Sequence, residues 1–194
     1  MNFWHILYIL FCYLVGSIPT GLLVAKAWKS PVDIRSGGSG NIGATNVARL
    51  LGKKAGAITL LGDVFKGFLV IILAKLFFPD FTYTICLSAL AVLLGNCFSI
   101  FLGFTGGKGV AVTFGIFFAL SPLIALIAVA IYAGVIYLTK VSAVGSLAAM
   151  ASLLVMMPFS GLNALYYLLT LLIVALVGYR HKSNIRELLK SWKS

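Results

Sequence analysis

Apolar runs of membrane-spanning length alternate with short polar stretches along this chain, and the run lengths predict its elements. A helix crossing the hydrocarbon needs about 20 mostly apolar residues. Runs at 3–27, 56–78, 82–103, 142–158 and 162–180 meet or approach that length. The run at 110–139 is too long for one comfortable crossing, and it contains Ser121-Pro122, where proline disfavours helix in the residue before it. A break there gives spans 110–120 and 122–139. The first covers only about 16 Å at about 1.5 Å per residue, so it is expected as a half-length helix inside a bundle, its N-terminus toward the cytoplasmic face.

Composition agrees with the pattern, because charged residues are 10% of the 194 against about 25% in an ordinary soluble domain. The sign of the charge then selects the topology. With seven crossings, Lys26, Lys29, Arg35, Arg49, Lys53, Lys54, Lys108, Lys140 and the cluster Arg180, His181, Lys182, Arg186, Lys190 and Lys193 share one side. With six, the C-terminal cluster would lie opposite Arg49, Lys53 and Lys54, against the positive-inside rule. The expected fold is therefore an all-α membrane protein, one domain over 1–194. It is a seven-transmembrane-helix bundle with one short half-length helix, N-terminus outside and C-terminus cytoplasmic. Net charge +11 could suit nucleic acid, but no soluble domain is left to present a basic face, so no nucleic-acid partner is expected. The first run lacks a basic leader and a small-x-small cleavage site, and reads as a span, not a signal peptide. Cys12, Cys86 and Cys97 have no CxxC spacing and read as small apolar residues, with no metal site indicated.

Three polar segments fall on the cytoplasmic side of this topology. In "SGGSGNIGATN", Ser36 to Asn46, Gly38, Gly40 and Gly43 match G-x-G-x-x-G. Without a preceding strand the dinucleotide reading fails. The underlying mechanism survives: glycines let successive N–H groups face one concavity, and a helix starting near Ala44 adds its positive end. Asn41, Thr45 and Asn46 offer side-chain donors and acceptors, and Arg49 a fixed cationic fork, an ensemble suited to a phosphate. Gly106-Gly107-Lys108-Gly109 lacks Walker A spacing, yet it sets a mobile cation among free backbone donors at the start of the half-helix. The third segment holds His181, Asn184 and Glu187 three apart, on adjoining faces if a helix forms. No H-x-x-x-x-D occurs. Asp63 and Lys66 inside an apolar run read as a mutually neutralising structural pair, Gly16 and Pro19 as a kink or close helix approach, and His5 as an interfacial residue.

Taken together, GSIPTG, VDIRSGGSGNIGATNVAR, LGDVFKG, FLGFTGGKGVA and YRHKSNIREL closely resemble, in order and over most of the chain, the bacterial acyl-phosphate:glycerol-3-phosphate acyltransferases, the PlsY-type integral membrane enzymes. The resemblance implies a seven-helix bundle in the bacterial cytoplasmic (inner) membrane with its active site facing the cytoplasm. It implies transfer of a fatty acyl group from acyl phosphate to the 1-hydroxyl of glycerol 3-phosphate, giving lysophosphatidic acid and phosphate in phospholipid biosynthesis. Carried over residue by residue, it implies substrate-binding roles for Ser39, Gly40, Asn41, Thr45, Asn46, Arg49, Gly106, Gly107 and Gly109, and catalytic roles for Lys108, His181 and Asn184. Partners are glycerol 3-phosphate, acyl phosphate and membrane lipid, with a soluble acyl-phosphate synthase as a candidate; no cofactor is expected.

Two positions depart from the pattern. A V-S-x-x-S serine is represented by Ser142 and Ser146, four apart; GSLAA reads as the continuation and favours Ser146. Asn96 stands in LGNCFSIFLG where the family usually has His, so either that imidazole is dispensable or this member is impaired. Acyl phosphate is an activated mixed anhydride, so positioning and charge stabilisation can supply most of the rate. The hydroxyl proton goes either to His181 or to a substrate phosphate oxygen. The alternative from another class is a small transporter of an organic anion, since half-helices with glycine breaks also serve transporters.

Overall fold

The computed structural model describes residues 1–191, so Lys193 of the basic cluster lies outside the described residues. Among these the chain is helical, with one isolated bridge between Ser99 and Thr105. Ten α-helices follow in order: α1 (Phe3–Ser17), α2 (Thr20–Ala27), α3 (Ala44–Leu51), α4 (Lys53–Phe77), α5 (Thr82–Cys97), α6 (Val110–Leu120), α7 (Pro122–Thr139), α8 (Ser142–Met156), α9 (Ala164–Arg180) and α10 (Lys182–Ser191). The chain divides into two compact units, Met1–Leu120 and Ser121–Ser194. The boundary is the predicted break: Ser121 is extended, with φ −149°, and Pro122 opens α7.

α4 shows why this is a membrane fold. Its exposed stripe is Leu61, Phe65, Phe68, Ile72 and Leu76, while its buried stripe carries Asp63 and Lys66 among Val70, Ile71 and Ala74. A helix in water turns its charges outward; this one buries its mid-helix pair, keeps Lys53, Lys54 and Lys75 exposed at its ends, and offers alkyl and aromatic groups to lipid along its length. α4, α7 and the segment Ser142–Ser160 are each long and apolar enough to cross a membrane, and two bent pairs, α1 with α2 and α9 with α10, bring the number to five. α5 and α6, at 16 and 11 residues, are shorter apolar helices, so a count of seven would have to include both.

In the first unit the chain bends by 43° between α1 and α2, because Pro19 has no N–H to continue the ladder. The last carbonyls of α1 would be orphans in hydrocarbon. Lys66 on α4 reaches them, its Nζ donating to Gly16 O at 3.0 Å and Ile18 O at 3.1 Å, with Asp63 Oδ1 2.9 Å away. The expected structural pair is thus also a helix cap. A second α4 lysine repeats the device: Lys75 Nζ donates to Ala119 O, at the end of α6, at 3.2 Å. α1 also crosses α5 closely at Gly16, where a Cβ would stand 2.1 Å from Val92 O; both expectations for this segment, kink and close approach, are present together.

His5 departs from the interfacial reading. It is buried, its Nδ1 lies 2.7 Å from Thr84 Oγ1, and its ring packs on Phe78 and Phe81. Partnering by a hydroxyl and two rings makes it a core residue, something no local pattern around residue 5 encodes. None of the three cysteines is in a disulfide, and Cys12 and Cys97 are fully buried.

In the second unit α7 and α8 form a hairpin through Lys140, which takes the left-handed conformation with φ 59° and donates its N–H to Ile136 O at 2.8 Å. The helices approach at Gly145, where a Cβ would meet Ile136 Cγ1 at 2.8 Å. Asn163 caps α9 by accepting from Leu165 N at 2.9 Å. The buried face of α9 runs Leu169, Ile173, Val177 and then His181, one residue every four, so the histidine completes an apolar stripe just beyond the helix end.

α4 and α6 meet backbone to backbone: a Cβ on Gly115 would lie 2.0 Å from Val64 O and 2.8 Å from Phe68 N. We expect Gly115→Ala to force the two helices apart and destabilise the protein by about 1–3 kcal/mol, as overpacking typically does. Thermal unfolding in detergent measures this, with Gly134→Ala, a position surrounded by open space, expected to show no loss.

Candidate active site

The first polar segment is folded from within. Ile34 and Ile42 are buried with Val24, Ala25, Val47 and Ala55; Ile42, the one large apolar residue among Ser36–Asn46, is the anchor of that stretch. Asn46, buried on the first turn of α3, then shapes the backbone. Its Oδ1 accepts from Ser39 N at 2.9 Å, and its Nδ2 donates to Ile34 O at 3.0 Å and Gly37 O at 3.1 Å. Gly38 must be glycine here: its φ is +59°, and a Cβ would sit 2.2 Å from Asn46 Oδ1. Asn41 makes a tighter local turn, its Oδ1 accepting from Gly43 N at 2.8 Å just before α3 begins. Both asparagines thus bond loop backbone through their side-chain amides. Ser39, Gly40, Thr45 and Arg49 are exposed, and the Arg49 stem passes over Gly38, with Cδ 3.5 Å from the position of a Cβ there.

At the outer edge of this segment Arg35 grips Asp33, with Nε and Nη2 donating to the carboxylate at 2.8–3.1 Å. Those hydrogen bonds, the side-chain ones first, hold the Asp33 carboxyl below its ordinary value. A carboxyl depressed in the folded state stabilises above its unfolded pKa near about 4 and loses that contribution as pH falls further. The turn is therefore indifferent to pH around neutrality.

The second segment begins as a small hairpin. Ser99 N donates to Thr105 O at 3.1 Å and Phe104 N to Ser99 O at 2.8 Å, with Phe104 held at φ 60°. Gly106 and Gly107 then pass against the end of α5: Gly107 N donates to Asn96 O at 2.9 Å, and a Cβ on Gly106 would stand 2.4 Å from the same oxygen. Gly109, at φ +83°, turns the chain into α6 beneath Leu93. Lys108 is half-buried between these glycines. Asn96, the departure from the usual histidine, sits with Oδ1 3.0 Å from a Cβ position on Gly107, directly behind the loop.

The two glycine segments share a foundation, because Leu102 of the hairpin packs on the apolar cluster that anchors Ile34 and Ile42. Neither Leu102 nor Ser99 was singled out by sequence reasoning. Only the fold reveals their contacts.

In the second unit His181 terminates α9 and is buried, with Nδ1 2.8 Å from Val177 O. A carbonyl can only accept, so Nδ1 carries the proton and Nε2 is the basic nitrogen of the neutral ring. The chain bends 59° here into α10, which places Asn184 one turn on, half-buried, while Glu187 is exposed. Ser146 is buried and donates to Ser142 O at 2.9 Å; Ser142 Oγ lies 3.2 Å from Tyr132 OH. Among the described residues no group of three His, Cys, Asp or Glu side chains could hold a metal ion.

Helical throughout, apolar on its lipid-facing stripes and cationic on its glycine loops, the chain is an integral membrane protein. Comparison with known proteins gives the family. The model of the family "Glycerol-3-phosphate acyltransferase" matches residues 6–191. The chain is 44% identical over 185 residues to the glycerol-3-phosphate acyltransferase of Endomicrobium trichonymphae, covering 95% of this chain and 92% of that one. It is 46% identical over 177 residues to that of Geobacter sulfurreducens, covering 91% and 89%. Among solved structures it resembles PlsY, an integral membrane glycerol 3-phosphate acyltransferase, in its glycerol 3-phosphate form, with TM-score 0.92 and 36% identity over 96% of this chain and 92% of that one. The lysophosphatidic acid form gives TM-score 0.90. The chain belongs to the glycerol-3-phosphate acyltransferase family, which sets aside the anion-transporter alternative.

The Asn46 scaffold predicts the behaviour of Gly38→Ala. Left-handed backbone costs an L-residue about 1–2 kcal/mol, and the added methyl displaces the Ser39–Asn46 hydrogen bond. Hydrogen exchange at the Ser39 amide should quicken by about tenfold or more, since every ~1.4 kcal/mol is tenfold, with the amides of α5 unaffected.

Proposed function

We propose that the chain transfers a fatty acyl group from acyl phosphate to the 1-hydroxyl of glycerol 3-phosphate, releasing lysophosphatidic acid and inorganic phosphate. The observation that carries this reading is the pair of glycine segments mounted on one apolar cluster, each offering a cation, Arg49 and Lys108, beside exposed or half-buried loop backbone. Two phosphorylated substrates need such loops. The crystallised PlsY relatives are glycerol 3-phosphate and lysophosphatidic acid forms, an acceptor and a product of this reaction.

In this reading Arg49 and Lys108, with Ser39, hold phosphate oxygens, and Gly40, Gly106, Gly107 and Gly109 let the substrates approach the loop backbone closely. Thr45 supplies a further hydroxyl, and Asn41 and Asn46 keep the loop in shape. Asn184 and Ser146 orient the glycerol hydroxyls. The 1-hydroxyl oxygen attacks the acyl carbonyl carbon, the bond from that carbon to the phosphate oxygen breaks, and its electron pair leaves with phosphate. His181 Nε2 takes the hydroxyl proton and returns it to the departing phosphate. Its buried Nδ1–H···O=C bond fixes the tautomer this requires. The protein crosses the bacterial cytoplasmic membrane seven times, with its basic segments and site on the cytoplasmic side, as the distribution of Lys and Arg favours. A soluble acyl-phosphate synthase would meet that basic face.

Purified protein given palmitoyl phosphate should release phosphate only when glycerol 3-phosphate is present. Lys108→Ala should lower that rate by about 10²-fold or more, the typical loss of one preorganised electrostatic contact. Acceptor-independent release, or none from folded protein, would overturn the reaction as written. His181→Ala should lower kcat by about 10²–10⁴-fold at saturating acceptor. Near-normal turnover there would assign the proton to a substrate phosphate oxygen.

A further inference from the structure

The break between α1 and α2 joins parts of the first unit that sequence keeps far apart. Three successive carbonyls end α1, and all three are taken by side chains. Lys66 Nζ on α4 binds Gly16 O and Ile18 O, at 3.0 and 3.1 Å, and Ser99 Oγ donates to Ser17 O at 2.6 Å. Each partner leads directly to one of the glycine segments. On one side α2 leaves the break and lies so close to the first loop that a Cβ on Gly21 would stand 2.0 Å from Ile42 O. α4 touches α2 at the same level, with Gly62 against Thr20. On the other side Ser99 is the fixed residue of the second hairpin: its own N–H and C=O bond Thr105 and Phe104, immediately before Gly106. Tyr13 of α1 adds a bond from its hydroxyl to Phe98 O at 2.8 Å.

We propose that Lys66 and Ser99 are positioning residues for the acyl-transfer reaction, holding the two phosphate-binding loops in register through the α1–α2 break. Stability alone does not account for this arrangement. A buried ion pair is weakly stabilising at best, and well-packed apolar residues commonly do as well. What an ammonium provides that a leucine cannot is a short, directed link to carbonyls at one chosen point. A link of that kind sets where α2 starts and, with Ser99, where the second hairpin starts. A misplacement of about 1 Å in such a site can cost about 10²-fold in rate. Asp63 neutralises Lys66, which makes the cation tolerable at this depth. This inference rests on the proposed assignment of the two loops to substrate.

The test is steady-state kinetics on full-length protein in lipid, with glycerol 3-phosphate as the varied substrate and active protein quantified by its folded fraction. Ser99→Ala removes one hydrogen bond, worth about threefold to tenfold. It should raise KM for glycerol 3-phosphate by that factor while kcat per folded protein stays within about twofold. Lys66→Met should raise KM further, and Lys66→Arg, which keeps the cation and can reach the same carbonyls, should restore it. Should Lys66→Met not fold, Ser99→Ala decides alone. A merely structural role would lower the melting temperature and leave KM unchanged. An unchanged KM in Ser99→Ala, beside a raised KM in Arg49→Ala, overturns the positioning role and leaves the loop assignment standing. An unchanged KM in Arg49→Ala as well would overturn the loop assignment, and this inference with it.

Discussion

A helix that ends among packed apolar helices leaves carbonyl oxygens with no water to turn to, and α1 ends that way because Pro19 cannot continue it. The Lys66 ammonium resolves this by donating to two of those carbonyls beside an aspartate that balances its charge. Lys75 does the same for the end of α6. α4 thus combines three tasks: it faces lipid along one stripe, packs closely on α6 at Gly67 and Gly115, and supplies the cations that let two neighbours end early.

The glycine segments are less flexible than their composition suggests. Each is held by a few long-range contacts: Asn46 folds the first by three hydrogen bonds to its backbone, and Asn96 and Ser99 fix the second. The glycines serve close packing and left-handed backbone, while Ile42 and Leu102 tether both segments to one apolar cluster. Preorganisation of this kind means that donors need not be ordered at the moment of binding, which is where electrostatic catalysis gains most. His181 follows the same logic in the second unit, since burial on the α9 stripe and the bond to Val177 O fix its ring and its tautomer.

The proposed acyl transfer asks little of its general base. In the proposed reaction the acyl phosphate carries its own leaving group, so a loop that holds phosphate and a hydroxyl at the right distance does much of the work. That accounts for a chain with four acidic residues and two histidines in all serving as an acyltransferase without a His–Asp pair.

Much of this was legible in sequence, for stated reasons. Run lengths and Pro122 gave α6 as Val110–Leu120 and α7 from Pro122, because a proline's effect on its predecessor is local. The apolar runs and the low charged fraction marked the membrane class, and the polar segments the candidate residues, because residue chemistry is written residue by residue. What tertiary structure decided was the partner of each polar group. Asn46 reads in sequence as one polar group beside the glycines, and only the fold shows its amide bonded to Ser39, Ile34 and Gly37. His5 looks interfacial until Thr84 is found beside it, 79 positions away. Lys66 looks merely neutralised until it is seen capping a helix 48 and 50 residues earlier, and Ser99 gives no sign at all. Hydrogen bonds are satisfied in space, and a chain that is 61% hydrophobic has few polar groups with which to satisfy them, so where each one goes is settled only when the helices pack.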